Sequence, residues 1–185
     1  MKVTEINQAV LRDYPRYEKI VTDWKRLKSK NVEFSASQTH KTNQVGNADV
    51  YCEADGEDCK LNVDVNVERQ KTFRFRLFCK TFMKEPCVHF DSDGCAHERP
   101  SSPDCPLRQR MVRTPHFHRY DEKGRNIPYR TAELDVDEEA ILCNVHRAFA
   151  LFCNEENSEL PELPLQGILH EKAEFNDPLE GVPFL

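Results

Sequence analysis

Two stretches, Leu61-Asn-Val-Asp-Val-Asn-Val-Glu68 and Phe73-Arg-Phe-Arg-Leu-Phe-Cys79, alternate apolar and polar side chains almost residue by residue. Successive side chains of a β-strand point to opposite faces, so each stretch predicts a strand with one apolar and one polar face. Further short runs, separated by Gly, Asp, Asn or Pro, extend the pattern along the chain. Together they predict an antiparallel meander of five to seven strands over residues 32–133, from the runs 32–37, 48–54, 60–68, 72–82, 86–92, 115–120 and 126–133.

Helical spacing of apolar residues flanks this region on both sides. The stretch 4–30 predicts a helical hairpin, broken at Pro15, with Asp13 as a plausible cap. The stretch 136–154 predicts a helix with an apolar stripe that packs on the sheet. Segment Asp121-Glu-Lys-Gly124 has the composition of a hairpin turn between the last two strands. The sequence therefore predicts an α+β fold.

Length and composition limit the organisation of the chain. Its 185 residues fit one domain, predicted over 1–154, followed by an acidic tail over 155–185 in which prolines prevent a long helix. With 31% charged and 38% hydrophobic residues, the chain has neither a membrane span nor a coiled coil. The first twenty residues lack an apolar run of signal-peptide length, so we expect a cytoplasmic protein.

Charge is distributed unevenly behind the net value of -6. Residues 99–130 hold 8 basic and 3 acidic side chains, whereas residues 131–185 hold 2 and 13. A basic block of this kind can contact phosphate, and the acidic tail can cover that block or dock against a basic protein partner. The alternative is a solvated helix face followed by a polar terminus.

The polar residues between 74 and 130 are the leading candidates for chemistry. If residues 87–92 and 116–120 are strands, alternation places their polar side chains on shared faces. Candidate catalytic residues on this basis are His116, His118, His89 and Tyr120. Candidate substrate-binding residues are Arg74, Arg76, Arg113 and Arg119.

These residue types suit the cleavage of RNA or another phosphodiester without a metal. Histidine titrates near neutrality and can accept or donate the protons that the reaction moves. Arginine stays charged, and its planar fork of donors matches two phosphate oxygens. The alternative is a half-exposed sheet face that is rich in His and Tyr for solubility.

Eight cysteines raise a second possibility. A cytosolic chain keeps its thiols reduced, which leaves metal binding, core packing or reactivity as their roles. Zinc accepts thiolate and imidazole ligands, and a zinc site can be drawn from Cys87, Cys95, His97 and Cys105. The alternative is a set of reduced thiols, some buried and some exposed.

The run Cys87 to Asp91, followed by Pro115-His-Phe-His-Arg-Tyr120 and a Gly-containing turn, resembles a group of small bacterial proteins. These proteins are largely uncharacterised and are encoded beside toxin–antitoxin and phage-defence genes. The resemblance covers roughly residues 72–152 and implies an intracellular α+β protein with toxin-like, RNA-directed activity. The cysteine-rich insertion between His89 and His116 departs from the group.

The leading functional prediction is a small toxin- or defence-type protein that acts on RNA or another phosphodiester. A second hypothesis is a non-enzymatic binding or inhibitor module of the kind that phages encode, docking through residues 155–185 and the basic block 99–130. A third is a structural module stabilised by zinc.

Overall fold

The computed structural model describes residues 6–28, 30–52, 56–69, 71–99 and 110–163. Within them the chain adopts the predicted α+β fold, with helices before and after an antiparallel sheet. The strands are β1 (Lys25–Leu27), β2 (Glu33–Ala36), β3 (Asn43–Cys52), β4 (Glu57–Asn66), β5 (Phe73–Phe78), β6 (Val88–Asp91), β7 (His97–Glu98), β8 (Met111–Val112), β9 (His116–Tyr120) and β10 (Asn126–Tyr129).

The main sheet contains eight strands in the order β1-β3-β4-β5-β6-β9-β10, with β2 also paired to β3. Among the described strands, β7 and β8 pair with each other and with no strand of the main sheet; they form a two-stranded unit, here called the β7–β8 arm. The predicted hairpin is confirmed, because β9 pairs with β10 and Gly124 closes the turn by donating its N–H to the Asp121 carbonyl at 2.9 Å. Gly124 has a φ of 67°, which glycine adopts without strain.

The first two helices are α1 (Gln8–Arg12) and α2 (Tyr14–Thr22). Asp13 caps α2, its carboxylate accepting the Arg16 N–H at 3.2 Å, and Pro15 stands in the first turn, where no helical donor is lost. The helical hairpin is shorter than the 4–30 predicted. The chain after Thr22 is extended, because β1 pairs with the end of β3.

The C-terminal helical region consists of α3 (Ala132–Leu142) and α4 (Val145–Glu155) rather than one helix over 136–154. Asn144 separates them. Its side-chain oxygen accepts the backbone N–H groups of His146 and Arg147 and so starts a new helix.

The core lies between one face of the sheet and the helices. Phe75 of β5 packs edge-on against Phe149 of α4 at 5.1 Å, and Phe117 of β9 stacks with Phe152 at 6.4 Å. α2 contributes buried apolar residues to the same core. The opposite face of the sheet, away from the helices, carries mainly polar side chains.

Part of the predicted tail is integral to this body. The backbone at Asn157 and Glu159 exchanges hydrogen bonds with Lys25, and Glu162 makes two more with Lys30 and Val32. Residues 156–163 therefore run along the edge of the sheet beside β1. The remainder of the predicted acidic docking segment, 164–185, lies outside the described residues.

The longest helices among the described residues, α3 and α4, have 11 residues each. None of the described helices has both the length and the apolar character needed to cross a membrane.

Candidate functional site

A row of polar residues crosses the three strands β5, β6 and β9 on the face away from the helices. His89 of β6 lies opposite Arg76 of β5 on one side and opposite His118 of β9 on the other. Directly paired residues of an antiparallel sheet project from the same face. The three side chains are therefore neighbours although they are far apart in sequence.

A second row lies two residues further along β6. Asp91 is opposite Arg74 of β5 and His116 of β9. Arg74 donates its Nε–H to Asp91 Oδ1 at 2.9 Å. The carboxylate thus stands between a guanidinium group and the imidazole cluster.

Four imidazole rings meet on this face. His89 and His118 stack with ring centroids 4.1 Å apart, and His116 lies 4.7 Å from His118. The β7–β8 arm adds His97, whose ring centroid is 4.9 Å from that of His116 and 4.8 Å from that of His118. Beside β7, Arg99 ties this segment to β10 by donating to the Pro128 carbonyl at 3.0 Å.

Asp91 joins the cluster through its second oxygen. Oδ2 lies 3.5 Å from His89 Nε2 and 4.0 Å from His118 Nε2. A carboxylate at these distances stabilises a proton on the imidazole or shares a metal ion with it.

The tautomer of His118 is set by Asn126. The two residues are joined by a 2.6 Å contact between Nδ1 and the amide oxygen Oδ1, and that oxygen can only accept. Nδ1 therefore carries the proton, and Nε2 presents a lone pair to the cluster.

Three buried nitrogens of the cluster have no hydrogen-bond partner within the described part of the chain. They are Nε2 of His118 and both ring nitrogens of His116. The backbone of Arg113 lies near His116 and favours its protonated ring, but not in the geometry of a hydrogen bond. His116 is 0% exposed and His118 4% exposed, so bulk solvent does not reach these nitrogens.

Burial keeps these rings neutral. It lowers the pKa of His89 to about 3, with Arg76 as the next contributor. It also lowers the pKa of His118 to about 3, with His89 next, and it lowers the pKa of His116. A neutral imidazole has a lone pair that can bind a metal ion, but its N–H is not acidic enough to protonate a leaving group near pH 7. With a pKa of about 3, it is also a weak base until a bound anion raises that value.

Within the described ranges, two overlapping groups have the spacing of metal ligands. One consists of His97, His116 and His118, and the other of His89, Asp91 and His118. Within each group one ligand atom per residue lies within 4.8 Å of the others. His118 belongs to both but has a single available nitrogen, Nε2.

Arg74 and Arg76 also line a neighbouring cleft of about 460 Å³, together with Asp64, Asn66 and His40. Arg76 donates to Asn62 at 3.0 Å, and the Arg74 side chain is 46% exposed. The cleft therefore places two guanidinium groups directly beside the imidazole cluster, together with the carboxylates of Asp64 and Asp93.

Three of the sequence candidates lie elsewhere. Arg113 pairs with Glu138 of α3 at 2.7 Å, and Arg119 donates to the Glu155 carbonyl at 2.6 Å on the helical side. Tyr120 packs edge-on against Tyr17 at 5.9 Å. The structure thus brings together Arg74, Arg76, His89, His116 and His118 but not these three.

The predicted cysteine–histidine zinc ligands are dispersed. Cys87 is buried in the core, its carbonyl accepts the Tyr17 hydroxyl at 2.9 Å, and burial raises the pKa of its thiol to about 12. Cys95 is exposed, and Cys105 lies outside the described residues. Of the three that the structure describes, only His97 belongs to the imidazole cluster.

Sequence reasoning did not connect His97 with the other histidines, and it missed Asn126. The arm that carries His97 pairs only locally, so alternation along the sheet gives no information about it. Asn126 does have a signal, because the β9–β10 hairpin sets it opposite Tyr120 and so diagonal to His118.

Comparison of the chain with protein-family models, with curated proteins and with solved structures finds no match.

Proposed function

We propose that this protein cleaves phosphodiester bonds, with RNA as the first substrate to test. The observation that carries the proposal is the side-by-side placement of neutral imidazoles and arginines on one sheet face. His89 lies opposite Arg76, and Arg74 contacts Asp91 next to it. These groups supply a proton acceptor and the positive charge that an anionic diester requires.

His89 is the best-placed proton acceptor. Its side chain is 20% exposed, whereas His116 and His118 are almost wholly covered. A phosphate bound to Arg74 and Arg76 would offset the positive charge that helps to lower the pKa of His89, so the ring becomes a stronger base when substrate is present. When His89 takes the proton of the attacking hydroxyl, the Asp91 oxygen 3.5 Å away stabilises the imidazolium that forms. The attacking oxygen bonds to phosphorus, the bond to the leaving oxygen breaks, and that oxygen takes a proton from solvent.

Arg74 and Arg76 are proposed to hold the phosphate. Each carries a permanent charge and several N–H donors, which match phosphate oxygens. Because the site lies on one edge of an open cleft, a chain of several nucleotides can extend from it along the face. This favours a polynucleotide over a small phosphate monoester.

The test is cleavage of an end-labelled single-stranded RNA, with single-stranded DNA of the same sequence in parallel. We expect His89→Gln to lower kcat by about 100-fold or more, the size typical of a lost general base. The control is His146→Gln, because His146 lies on α4 on the opposite side of the sheet. Cleavage at the wild-type rate by His89→Gln would refute the proposal.

Binding of the phosphate is tested separately with Arg74→Ala. We expect weaker RNA binding and a salt slope reduced by about one, because one ionic contact is removed. Arg147→Ala is the matched control, since Arg147 pairs with Asp137 on the helical side. Equal salt slopes for Arg74→Ala and wild type would remove Arg74 from the site.

A further inference from the structure

His97, His116 and His118 converge from two separate parts of the structure. His116 and His118 alternate along β9 with Phe117 between them, and His97 reaches them from the β7–β8 arm. Their three ring centroids lie 4.7 to 4.9 Å from one another. One nitrogen from each lies within 4.8 Å of the others, which is the spacing of ligands around a single ion; zinc would require each nitrogen at roughly 2.0–2.1 Å.

The nitrogens of this group lack other partners. Both nitrogens of His116 and Nε2 of His118 are buried without a hydrogen bond, among the residues that the structure describes. Buried polar atoms are almost always paired, and an unpaired one costs free energy. A bound cation would satisfy lone pairs that nothing else in the described chain uses.

We propose that His97, His116 and His118 bind one divalent transition-metal ion of the zinc class. Three imidazoles match the preference of zinc for nitrogen ligands and leave a fourth position for water or substrate. The contact between His118 Nδ1 and Asn126 is the second-shell hydrogen bond that orients a metal-binding histidine. His97 is the solvent-exposed member of the three, so the group is accessible from its side.

The competing group, His89 with Asp91 and His118, is less suited to hold the ion. Oδ1 of Asp91 already accepts from Arg74 at 2.9 Å, which leaves only Oδ2 for an ion. His89 and Asp91 then remain beside the ion, where they can act on the nucleophile. The ion would supply the Lewis acid that the buried, neutral histidines cannot replace by proton donation.

This inference goes beyond the proposed function, and metal binding is measured without any substrate. A protein that binds zinc but leaves RNA intact would uphold the site and refute the cleavage activity. A protein that cleaves RNA yet binds no metal would uphold the cleavage activity and refute the metal site.

The experiment uses the full chain without a histidine tag. Bound metal is first removed with a chelator, and the thiols are kept reduced with a reductant that does not itself bind metal ions. Co²⁺ is added first, because its visible absorption reports tetrahedral coordination, and Zn²⁺ is then titrated against it. We expect about one equivalent to bind in wild type, in His146→Gln and in His89→Gln. Asn126→Ala should weaken binding about 10- to 100-fold, the usual loss when a second-shell partner is removed.

Loss of stoichiometric binding in His116→Ala and His97→Gln supports the proposal. His97 is exposed, so His97→Gln remains informative if His116→Ala fails to fold. The ligand set would be overturned if His97→Gln bound the metal with wild-type affinity, or if His89→Gln no longer bound it. Loss in Cys87→Ser or Cys95→Ser with the histidine variants unaffected would overturn it in favour of the cysteine ligands.

Discussion

The two faces of β5, β6 and β9 have the same backbone but opposite roles. On the helical face Phe90 lies 5.7 Å from Phe75 and 4.8 Å from Phe117, and all three are fully buried. On the other face His89 and His118 stack at 4.1 Å, but their neighbour His116 has no hydrogen-bond partner in the described chain. The aromatic rings of the helical face are fully packed against one another, whereas the other face contains buried nitrogens without hydrogen-bond partners among the described residues.

Residues on the helical face stabilise the fold, whereas the histidines on the other face are positioned by the fold for binding. Apolar burial supplies most of the favourable free energy of folding, whereas a buried imidazole without a partner subtracts from it. Buried ionisable groups of this kind cluster at functional sites, where a bound ligand can use them. We therefore expect substitutions on the two faces to affect stability and binding in opposite ways.

The largest effect on stability is expected from Phe117→Ala. The ring is buried between Phe90, Tyr129 and Phe152, so its removal leaves a cavity and should lower the free energy of unfolding by about 3–5 kcal/mol. Urea denaturation measures this. The control Val136→Ala, at a position 88% exposed on α3, should change the value by less than about 0.5 kcal/mol. A loss under about 1 kcal/mol for Phe117→Ala would contradict the assignment of this face as the core.

A second effect is expected from pH in metal-free protein. The pKa values of His89 and His118 are about 3 in the folded chain and return to about 6.5 on unfolding, so the unfolded state binds more protons between these values. Stability is then fully present above about pH 6.5 and falls on acidification toward pH 3, by up to about 1.4 kcal/mol per pH unit for each group. The slope should be shallower in His89→Gln. An identical slope would show that His89 titrates normally.

Glu156 opposes this trend and provides the control. Burial raises its pKa to about 7 from the usual 4.5, although Arg119 donates to it at 3.2 Å. Its contribution is present below about pH 4.5 and is lost as the pH rises toward 7, which is the opposite sign. The loss of stability on acidification should therefore be steeper in Glu156→Gln than in wild type. Urea denaturation at successive pH values compares all three proteins.

A small effect is expected from Arg113→Ala. Arg113 forms an exposed ion pair with Glu138 away from the imidazole cluster, and exposed pairs contribute about 0–1 kcal/mol. The variant should lose at most that much stability and bind RNA with the affinity and salt slope of wild type. A reduced salt slope would return Arg113 to the substrate-binding residues.

Alternation made much of the sheet predictable from the sequence. It places Arg74, Arg76 and His89 on one face because their strands are regular throughout these positions. The same rule fails at Cys87. β6 begins only at Val88, so the residue before it turns into the core instead of joining His89.

Other parts of the site depend on contacts that no local pattern specifies. The packing of the β7–β8 arm decides that His97 meets His116. In the part of the chain that the structure describes, the arm does not pair with the main sheet, so alternation along the sheet cannot be extended to it. The break between α3 and α4 arises because the Asn144 side chain accepts backbone N–H groups and so starts a new helix. The apolar spacing of the sequence continues across this point and gives no sign of the break.

His116→Leu tests the contrast between the two faces most directly. Leucine keeps the volume of the side chain roughly constant and removes both unpaired nitrogens, so the melting temperature of the metal-free variant should equal or exceed that of wild type. Added Zn²⁺ should raise the melting temperature of wild type but not that of the variant. A metal-free variant destabilised as strongly as Phe117→Ala, together with equal zinc shifts in both proteins, would contradict the account.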